Sequence, residues 1–325
     1  MPESLHSNEL LDLVIIGAAA AGCTAAIYAA RRKLNLQVVT KDIGGEVALS
    51  GVVENWPGIE SIQGFELAQN FYKHMKSYDV PVDEGYGVTS IEQVDNYHIV
   101  HAENQAGDKK KYKTKAVIVG SGIHPRHLGV PGEEELQGKA VTYCTVCDGP
   151  LFRGKTTATV GAGNAALESA LMMAELAEKV YLITKYPESN LGGFPKGETV
   201  LVDKIKEKEN VEIIYNVLTT SIGGENAVES LTYKDADSKE STTIDVKAVM
   251  VHIGMIPNSQ FVECSDKNKA GEIMVDNKCA TSCKGVFAAG DVTDVAYKQI
   301  SISVGQGATA ALSAIEYINL WEPHN

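Results

Sequence analysis

The 325 residues are enough for two domains of ordinary size, and 44% hydrophobic with 22% charged is a globular composition. A formal net charge of −13, from 29 basic and 42 acidic residues, argues against a nucleic-acid surface, which needs clustered Lys and Arg to neutralise phosphates. No run approaches about 20 continuous apolar residues, so no membrane span is expected.

The N-terminus has no basic region, with Glu3, His6 and Glu9 in its first ten residues, and does not read as a signal peptide. Six cysteines are too few for a disulfide scaffold, which favours a reducing compartment with one special pair and a cytoplasmic location.

Leu11 to Ile16 is a β-branched run that predicts a buried parallel strand. Gly17-Ala18-Ala19-Ala20-Ala21-Gly22 follows as a small-residue turn, and Cys23 to Arg32 reads as a helix. A strand, a tight turn and a helix make half of a nucleotide-binding unit, because the helix N-terminus offers free N–H groups to a pyrophosphate. The fingerprint prefers Gly where Ala19 stands, which predicts a slightly shifted turn; the alternative is a bare strand–helix turn that binds nothing. Leu36 to Thr40 reads as the second strand, and Asp42 stands just after it, where an acid holds a ribose hydroxyl. Gly44 to Glu46 and Glu54 to Gly58 read as loops, and residues 64–78 as an amphipathic helix. From Tyr86 to Tyr112 short alternating runs predict an antiparallel meander, and Ala116 to Val119 a further buried strand. Gly120-Ser121-Gly122, Pro125 and Pro131-Gly132 mark a crossing between domains.

Cys144-Thr145-Val146-Cys147-Asp148 is the centre of interest. A C-x-x-C pair suits thiol–disulfide chemistry or half of a zinc site, to which Cys279 and Cys283 would add two ligands. Cys23 reads as a small core residue and Cys264 as a surface or half-buried bystander. Thr157 to Val160 leads into a second turn, Gly161-Ala162-Gly163-Asn164-Ala165-Ala166, then a helix to about Ala177 and a strand from Lys179 to Ile183. Two strand–turn–helix units argue for two dinucleotides, where a lone one would be weak evidence. Beyond them lie strands at 211–214, 228–233, 242–246 and 248–253, a buried strand ending at Gly290-Asp291, and a terminal helix at 302–319.

Together these motifs resemble the low-molecular-weight thioredoxin reductases, which are FAD-dependent pyridine nucleotide-disulfide oxidoreductases, over nearly the whole chain. The resemblance is carried by Ala26 to Arg31, Val53 to Gly58, Cys144 to Asp148, the Gly161 turn, and Gly285 to Asp291 with Tyr297-Lys298-Gln299 behind it. Thr142 to Cys144 and Cys147 to Phe152 are more similar still to the reductase part of alkyl hydroperoxide reductase F subunits. Those subunits carry an extra N-terminal thioredoxin-like domain, for which this chain, starting at its first strand, is expected to have no room.

The resemblance implies an α/β fold of two Rossmann-like dinucleotide-binding domains, the second inserted into the first. The implied FAD-binding domain is 1–119 with 250–325, and the NAD(P)H-binding domain carrying the C-x-x-C is 120–249. FAD would be held by Gly17, Ala19, Gly22, Asp42, Gly45, Glu46, Asn55, Gly122, Gly290, Asp291, Gln299 and Ile300. The nicotinamide dinucleotide would be cradled by Gly161, Gly163, Asn164 and Ala166. Cys144 would attack the partner, Cys147 would face the flavin, and Asp148 would carry the thiol proton or cap the following helix. Gly120-Ser121-Gly122 and Gly254 would act as hinges. No metal is expected.

The donor is less plainly written. NADPH-using relatives show His-Arg-Arg after the second strand of this domain, whereas this chain reads Thr184-Lys185-Tyr186-Pro187. Lys185 either binds a 2′-phosphate, favouring NADPH, or is an ordinary solvated lysine. No acid is present there to favour NADH. The implied acceptor is thioredoxin or a glutaredoxin-like protein, and the implied assembly a homodimer. Reduction by ferredoxin or a deazaflavin, and a non-catalytic nucleotide-binding or sensor role, are the alternatives.

Overall fold

The computed structural model describes residues 10–50, 52–188 and 196–322. The chain divides into two compact units: one runs to His124 and resumes at Ile256, the other is Pro125–Met255. The first unit begins β1 (Leu11–Ala18), α1 (Ala20–Ala30) and β2 (Leu36–Ile43). Then come α2 (Gly45–Leu49), the ribbon β3 (Val52–Val53) and β4 (Ile62–Gln63), α3 (Gly64–Lys76) and β5 (Val82–Glu84). The antiparallel β6 (Tyr86–Val94) and β7 (Tyr97–Asn104) lead into β8 (Lys109–Val119), and β9 (Ile123–Pro125) crosses to the second unit.

That unit holds β10 (Val141–Thr142), α4 (Thr145–Asp148), a 3₁₀ turn at Gly149–Phe152, β11 (Thr156–Gly161), α5 (Asn164–Leu176) and β12 (Lys179–Ile183). It continues with α6 (Thr199–Lys206), β13 (Val211–Ile214), the antiparallel β14 (Val217–Gly223), β15 (Ser230–Asp235) and β16 (Ser241–Asp245), and β17 (Val249–His252). The chain returns through β18 (Met255–Pro257) to β19 (Val286–Ala288) and the terminal α7 (Ile300–Asn319).

The first unit is built on one sheet, β5-β2-β1-β8-β7-β6, with β19 also paired to β8. Strands β5, β2, β1, β8 and β19 are mutually parallel, and β6 and β7 are antiparallel. Side chains alternate faces along a strand, so each strand feeds two cores. Leu13, Ile15 and Ile118 pack with the alanines of α1 and α7 on one face, while Val14, Ile16, Val117 and Val119 pack with Val100 and Tyr112 on the other. Burying each such aliphatic side chain contributes about 1.5–3 kcal/mol.

Small residues set the helix spacing: a Cβ on Gly307 of α7 would lie 2.3 Å from the Ala21 carbonyl oxygen of α1. The second unit repeats the scheme with a parallel sheet β10-β17-β11-β12-β13 and a separate three-stranded antiparallel sheet. Val160, Val249 and Val251 face one of its cores and Leu182, Ala248 and Met250 the other. The fold is therefore α/β with two Rossmann-like units, the second inserted into the first.

Several local expectations are corrected. Helix α1 starts at Ala20, not Cys23, because Gly22 must lie inside it: a Cβ there would stand 1.9 Å from the Gly17 carbonyl oxygen. The stretch expected to be a loop at Gly44 to Glu46 starts helix α2, launched from Gly44 in the left-handed region at φ 89°. The meander and the strand at 116–119 are not separate: β8 is one strand of eleven residues. Its first part pairs antiparallel with β7 and its last part pairs parallel with β19. Strand β14 gives no clear sequence signal, since its alternation is broken by polar threonines.

Candidate functional site

In the first unit the C-terminal ends of the parallel strands open into a cleft of about 770 Å³. Open α/β sheets bind ligands at this edge. Its wall includes Gly17, Ala19, Asp42, Gly45, Glu46, Gly122, Gly290 and Asp291, eight of the twelve residues expected at FAD. Gly22 stands behind the wall, where its bare Cα lets α1 close onto Gly17. Asn55, Gln299 and Ile300 are not in the wall. Asn55 and Gln299 are instead joined to each other, the Asn55 Nδ2 donating to the Gln299 Oε1 at 3.1 Å. Ile300 packs against the buried cluster that includes Val47, Val53 and Ile62.

Helix α1 has no capping side chain and no acid in its first turn, so its N–H groups are open to an anion. Ala19 has ordinary extended backbone, φ −109°, so the alanine at the fingerprint's second position costs no backbone strain.

Three carboxylates, Asp42, Glu46 and Asp291, share the cleft wall. Burial, then Asp291 and Asp42, push the Glu46 carboxyl above its ordinary range. Burial also raises Asp291, against the opposing hydrogen bond from Ser303 and the charge of Lys298. The Ser303 Oγ donates to the Asp291 Oδ1 at 3.1 Å. Such a cluster accepts hydrogen bonds from ligand hydroxyls, as a ribose or ribityl chain presents.

The second unit holds the cysteine pair. Cys144 and Cys147 are joined, with S–S 2.06 Å and Cα–Cα 5.3 Å. Cys144 is the N-cap of α4, and its Sγ accepts the Cys147 N–H at 3.2 Å. The segment before it is tied down from both sides. The buried Thr142 hydroxyl accepts the Cys144 N–H at 3.1 Å and donates to the Cys144 carbonyl at 3.3 Å. The buried Glu133 carboxylate accepts the N–H groups of Leu128 and Gly129, and the Tyr143 hydroxyl at 2.7 Å. Asp148 ends α4 and heads the 3₁₀ turn without a side-chain cap bond, so the capping role expected for it is not seen.

The second turn lies in the same unit. Gly161 needs its missing side chain, since a Cβ would meet the His252 carbonyl oxygen at 2.3 Å and the Ala166 Cβ at 2.5 Å. Gly163 caps α5, and a Cβ there would meet nothing within 4 Å, which leaves open space above the helix N-terminus. Asn164, the first residue of α5, exchanges hydrogen bonds with Glu198 at 2.7 and 2.9 Å. Lys185 lies just past β12, its Nζ 5.4 Å from the Tyr186 ring centroid, and Lys196 approaches the same ring at 4.5 Å. A bond from Lys196 lowers the Tyr186 pKa.

This ordering of two dinucleotide-type turns around a vicinal cysteine pair matches the pyridine nucleotide-disulphide oxidoreductase family over residues 11–307. The chain belongs to that family. It is an oxidoreductase by membership and carries a thioredoxin reductase-like FAD oxidoreductase fold with a C-x-x-C pair. The chain is 38% identical over 312 residues to an NADH dehydrogenase of Bacillus subtilis, covering 96% of this chain and 59% of that protein. It is 36% identical over 318 residues to the F subunit of Escherichia coli alkyl hydroperoxide reductase, covering 97% and 60%. It thus spans about three fifths of the length of these curated relatives. Among solved structures, a Lactococcus lactis thioredoxin reductase superimposes with a TM-score of 0.80 at 29% identity, covering 96% of this chain and all of that one.

Within this family frame, several residues escaped the sequence reading. His124, Asn258 and Ser303 line the cleft, and the Asn258 Oδ1 lies 2.6 Å from the His124 Nδ1. Only the fold brings Asn258 to Gly122, whose carbonyl accepts the Asn258 N–H at 2.9 Å. Cys264 is not a bystander: it pairs with Cys283, with Cα–Cα 5.6 Å. Cys283 is therefore not offered with Cys279 to a metal, and Cys279 is free and buried. The expectation of one special pair becomes two, because a pair separated by 19 residues carries no local sequence signature.

Proposed function

We propose that the protein is an FAD-dependent disulfide reductase that takes reducing equivalents from NAD(P)H and delivers them, at Cys144 and Cys147, to the disulfide of thioredoxin or a glutaredoxin-like protein. One observation carries this reading: a joined C-x-x-C pair heads a short helix in the same unit as an intact dinucleotide turn.

The first unit fits FAD through its open α1 N-terminus, the Gly17–Gly22 contact and the carboxylates at Asp42, Glu46 and Asp291. Gly45, Gly122 and Gly290 give the wall its close approach, and Ala19 is tolerated there; Gln299 and Ile300, at the start of α7, and Asn55, hydrogen-bonded to Gln299 from the segment between β3 and β4, would join from beyond the wall. Bound FAD supplies the two-electron chemistry that links a hydride donor to a disulfide. The boundary between the FAD-holding and nucleotide-holding parts is taken at the two chain crossings, flanked by Gly122 (φ 67°) and Gly254 (φ 110°).

The chain's own chemistry is thiol exchange. Reduced Cys144, as thiolate, attacks the acceptor disulfide and displaces one acceptor thiolate, forming a mixed disulfide. Cys147 then attacks the Cys144 sulfur, closing the intramolecular disulfide and releasing the second acceptor thiol. Asp148, next in the chain, passes protons between the departing thiolates and solvent. The dithiol is oxidised by two electrons and the acceptor is reduced by two.

NADPH is the favoured donor, supported by Lys185 and Lys196, both beside the half-buried Tyr186 ring, where a 2′-phosphate would meet two cations. NADH is the competing donor, since the B. subtilis relative is an NADH dehydrogenase. The reading includes a homodimer in the cytoplasm; no helix of the described residues is long and apolar enough to cross a membrane.

Anaerobic titration of the FAD-loaded protein with NADPH and NADH in turn, followed by thioredoxin reduction, tests the reading. NADPH should bleach the flavin, and Cys147→Ser should abolish acceptor reduction. No bleaching by either nucleotide would overturn the donor assignment in favour of ferredoxin or a deazaflavin. Turnover by Cys147→Ser at the parental rate would sink the dithiol mechanism, whereas a parental protein that reduces no disulfide with any donor would favour the sensor role.

A further inference from the structure

We infer that His252, acting through Thr145, is a positioning residue that sets the redox poise of the Cys144–Cys147 pair. The inference rests on the disulfide-reductase reading above and names a residue which that reading does not use.

Thr145 lies between the two cysteines and is the first residue of α4. Its side chain points away from solvent, with the residue 4% exposed. The Thr145 Oγ1 lies 2.8 Å from the His252 Nε2 and 2.6 Å from the Ser169 Oγ. A hydroxyl has one proton and accepts through its lone pairs, so it satisfies two such partners by donating to one and accepting from the other. The three side chains therefore form one directed relay.

Each partner is fixed by its own element. Ser169 is buried in the middle of α5, 4% exposed, and a weaker contact of 3.5 Å ties it to the buried Thr159 of β11. His252 closes β17, and its carbonyl oxygen is wedged against Gly161 so tightly that no side chain fits there. Burial pushes the His252 imidazole pKa down to about 4, so near neutrality it is an uncharged hydrogen-bonding group. It holds Thr145 by a directional bond and adds no charge to the site.

Opening a disulfide lets the two sulfurs separate, and the local helical turn gains freedom in proportion. A turn pinned at Thr145 keeps the two thiols at high effective concentration toward each other, which favours the closed disulfide. The pinned dithiol is thereby the stronger reductant. Cutting the pin lets the reduced turn spread and moves the equilibrium towards the dithiol.

The test is a redox titration of the FAD-loaded protein in glutathione buffers without any nucleotide, with alkylation and mass spectrometry reading Cys144 and Cys147 separately from Cys264 and Cys283. Thr145→Val and His252→Ala should each shift the thiol–disulfide constant by about tenfold towards the dithiol, about 30 mV less negative. The double variant should shift no further than either single one, because both cut the same relay. Thr145→Ser and His252→Gln, which keep a hydrogen-bonding atom in reach, should stay within about twofold of the parent.

Unchanged potentials in Thr145→Val and His252→Ala, or additive shifts in the double variant, would overturn the inference. So would a tenfold shift in the two conservative variants, since that would mark a general loss of packing. Because the titration uses no NAD(P)H and no acceptor protein, a protein that failed to turn over would refute the proposed function while leaving this measurement to decide the role of His252 separately.

Discussion

Replacing Gly163 by alanine separates a dinucleotide-binding turn from a bare strand–helix turn. Gly163 caps α5 with extended backbone, φ −116° and ψ −175°, which any residue adopts. An alanine Cβ there would meet nothing within 4 Å, so the folded state incurs no steric penalty. The unfolded chain loses freedom when Gly becomes Ala, which stabilises the fold by about 0.4–1 kcal/mol. For a unit of this size that raises the melting temperature by roughly 1–4 °C. The added methyl projects into the space above the α5 N-terminus, where a pyrophosphate would approach the backbone. Nucleotide affinity should then fall by about tenfold, or about 1.4 kcal/mol. Gly161→Ala is the contrast, since its Cβ would lie 2.3 Å from the His252 carbonyl oxygen and the fold itself should suffer. Thermal melts with calorimetric or flavin-bleaching titrations of NADPH read both quantities. A Gly163→Ala protein that keeps parental nucleotide affinity would refute the assignment of this turn.

Lys185→Ala and Lys196→Ala should each raise the KM for NADPH by about tenfold with no change for NADH, if both lysines meet a 2′-phosphate; steady-state kinetics with the two donors decides, and equal losses for both donors would remove the assignment. Acid should weaken the fold through His252. Its pKa is about 4 in the folded protein and near 6.5 when unfolded, so between those values the unfolded chain binds more protons and stability falls as pH drops. From pH 6.5 to 5 the loss is on the order of 2 kcal/mol, and His252→Gln should not show it in denaturant titrations at the two pH values; parallel curves for the two proteins would contradict the burial argument. Cys264→Ser removes a link across a sequence separation of 19, a loop that in the chain-entropy account contributes about 3 kcal/mol. The loss should appear in oxidising buffer and vanish under reductant, and equal stabilities in oxidising buffer would show that the pair is not joined in solution.

Much of the fold was legible because its signals are local. The runs at Leu11 to Ile16 and Thr157 to Val160 are β-branched, each ends on a glycine turn, and each is followed by an alanine-rich helix. The C-x-x-C pair was legible for the same reason, since three residues of separation place both sulfurs on one helical turn. Errors fell where a local rule met a non-local demand. Gly22 reads as the end of a turn by composition, yet it lies within α1 because only a bare Cα fits against the Gly17 carbonyl. Gly44 to Glu46 reads as a loop, yet a left-handed Gly44 starts a helix there.

The sequence by itself determined the two nucleotide-type units, their order, the dithiol between them and the family. Hydrophobic periodicity and glycine spacing are properties of neighbouring residues, and they survive without any tertiary contact. Only the tertiary structure decided which distant groups meet. It carried Asn258 to Gly122 and His124, brought Asn55 to Gln299 across 244 residues, joined Cys264 to Cys283, and placed His252 against Thr145 across 107. Such pairs are chosen by strand register and helix packing, which depend on the whole core at once, and a hydroxyl or imidazole read alone in a sequence does not announce its partner.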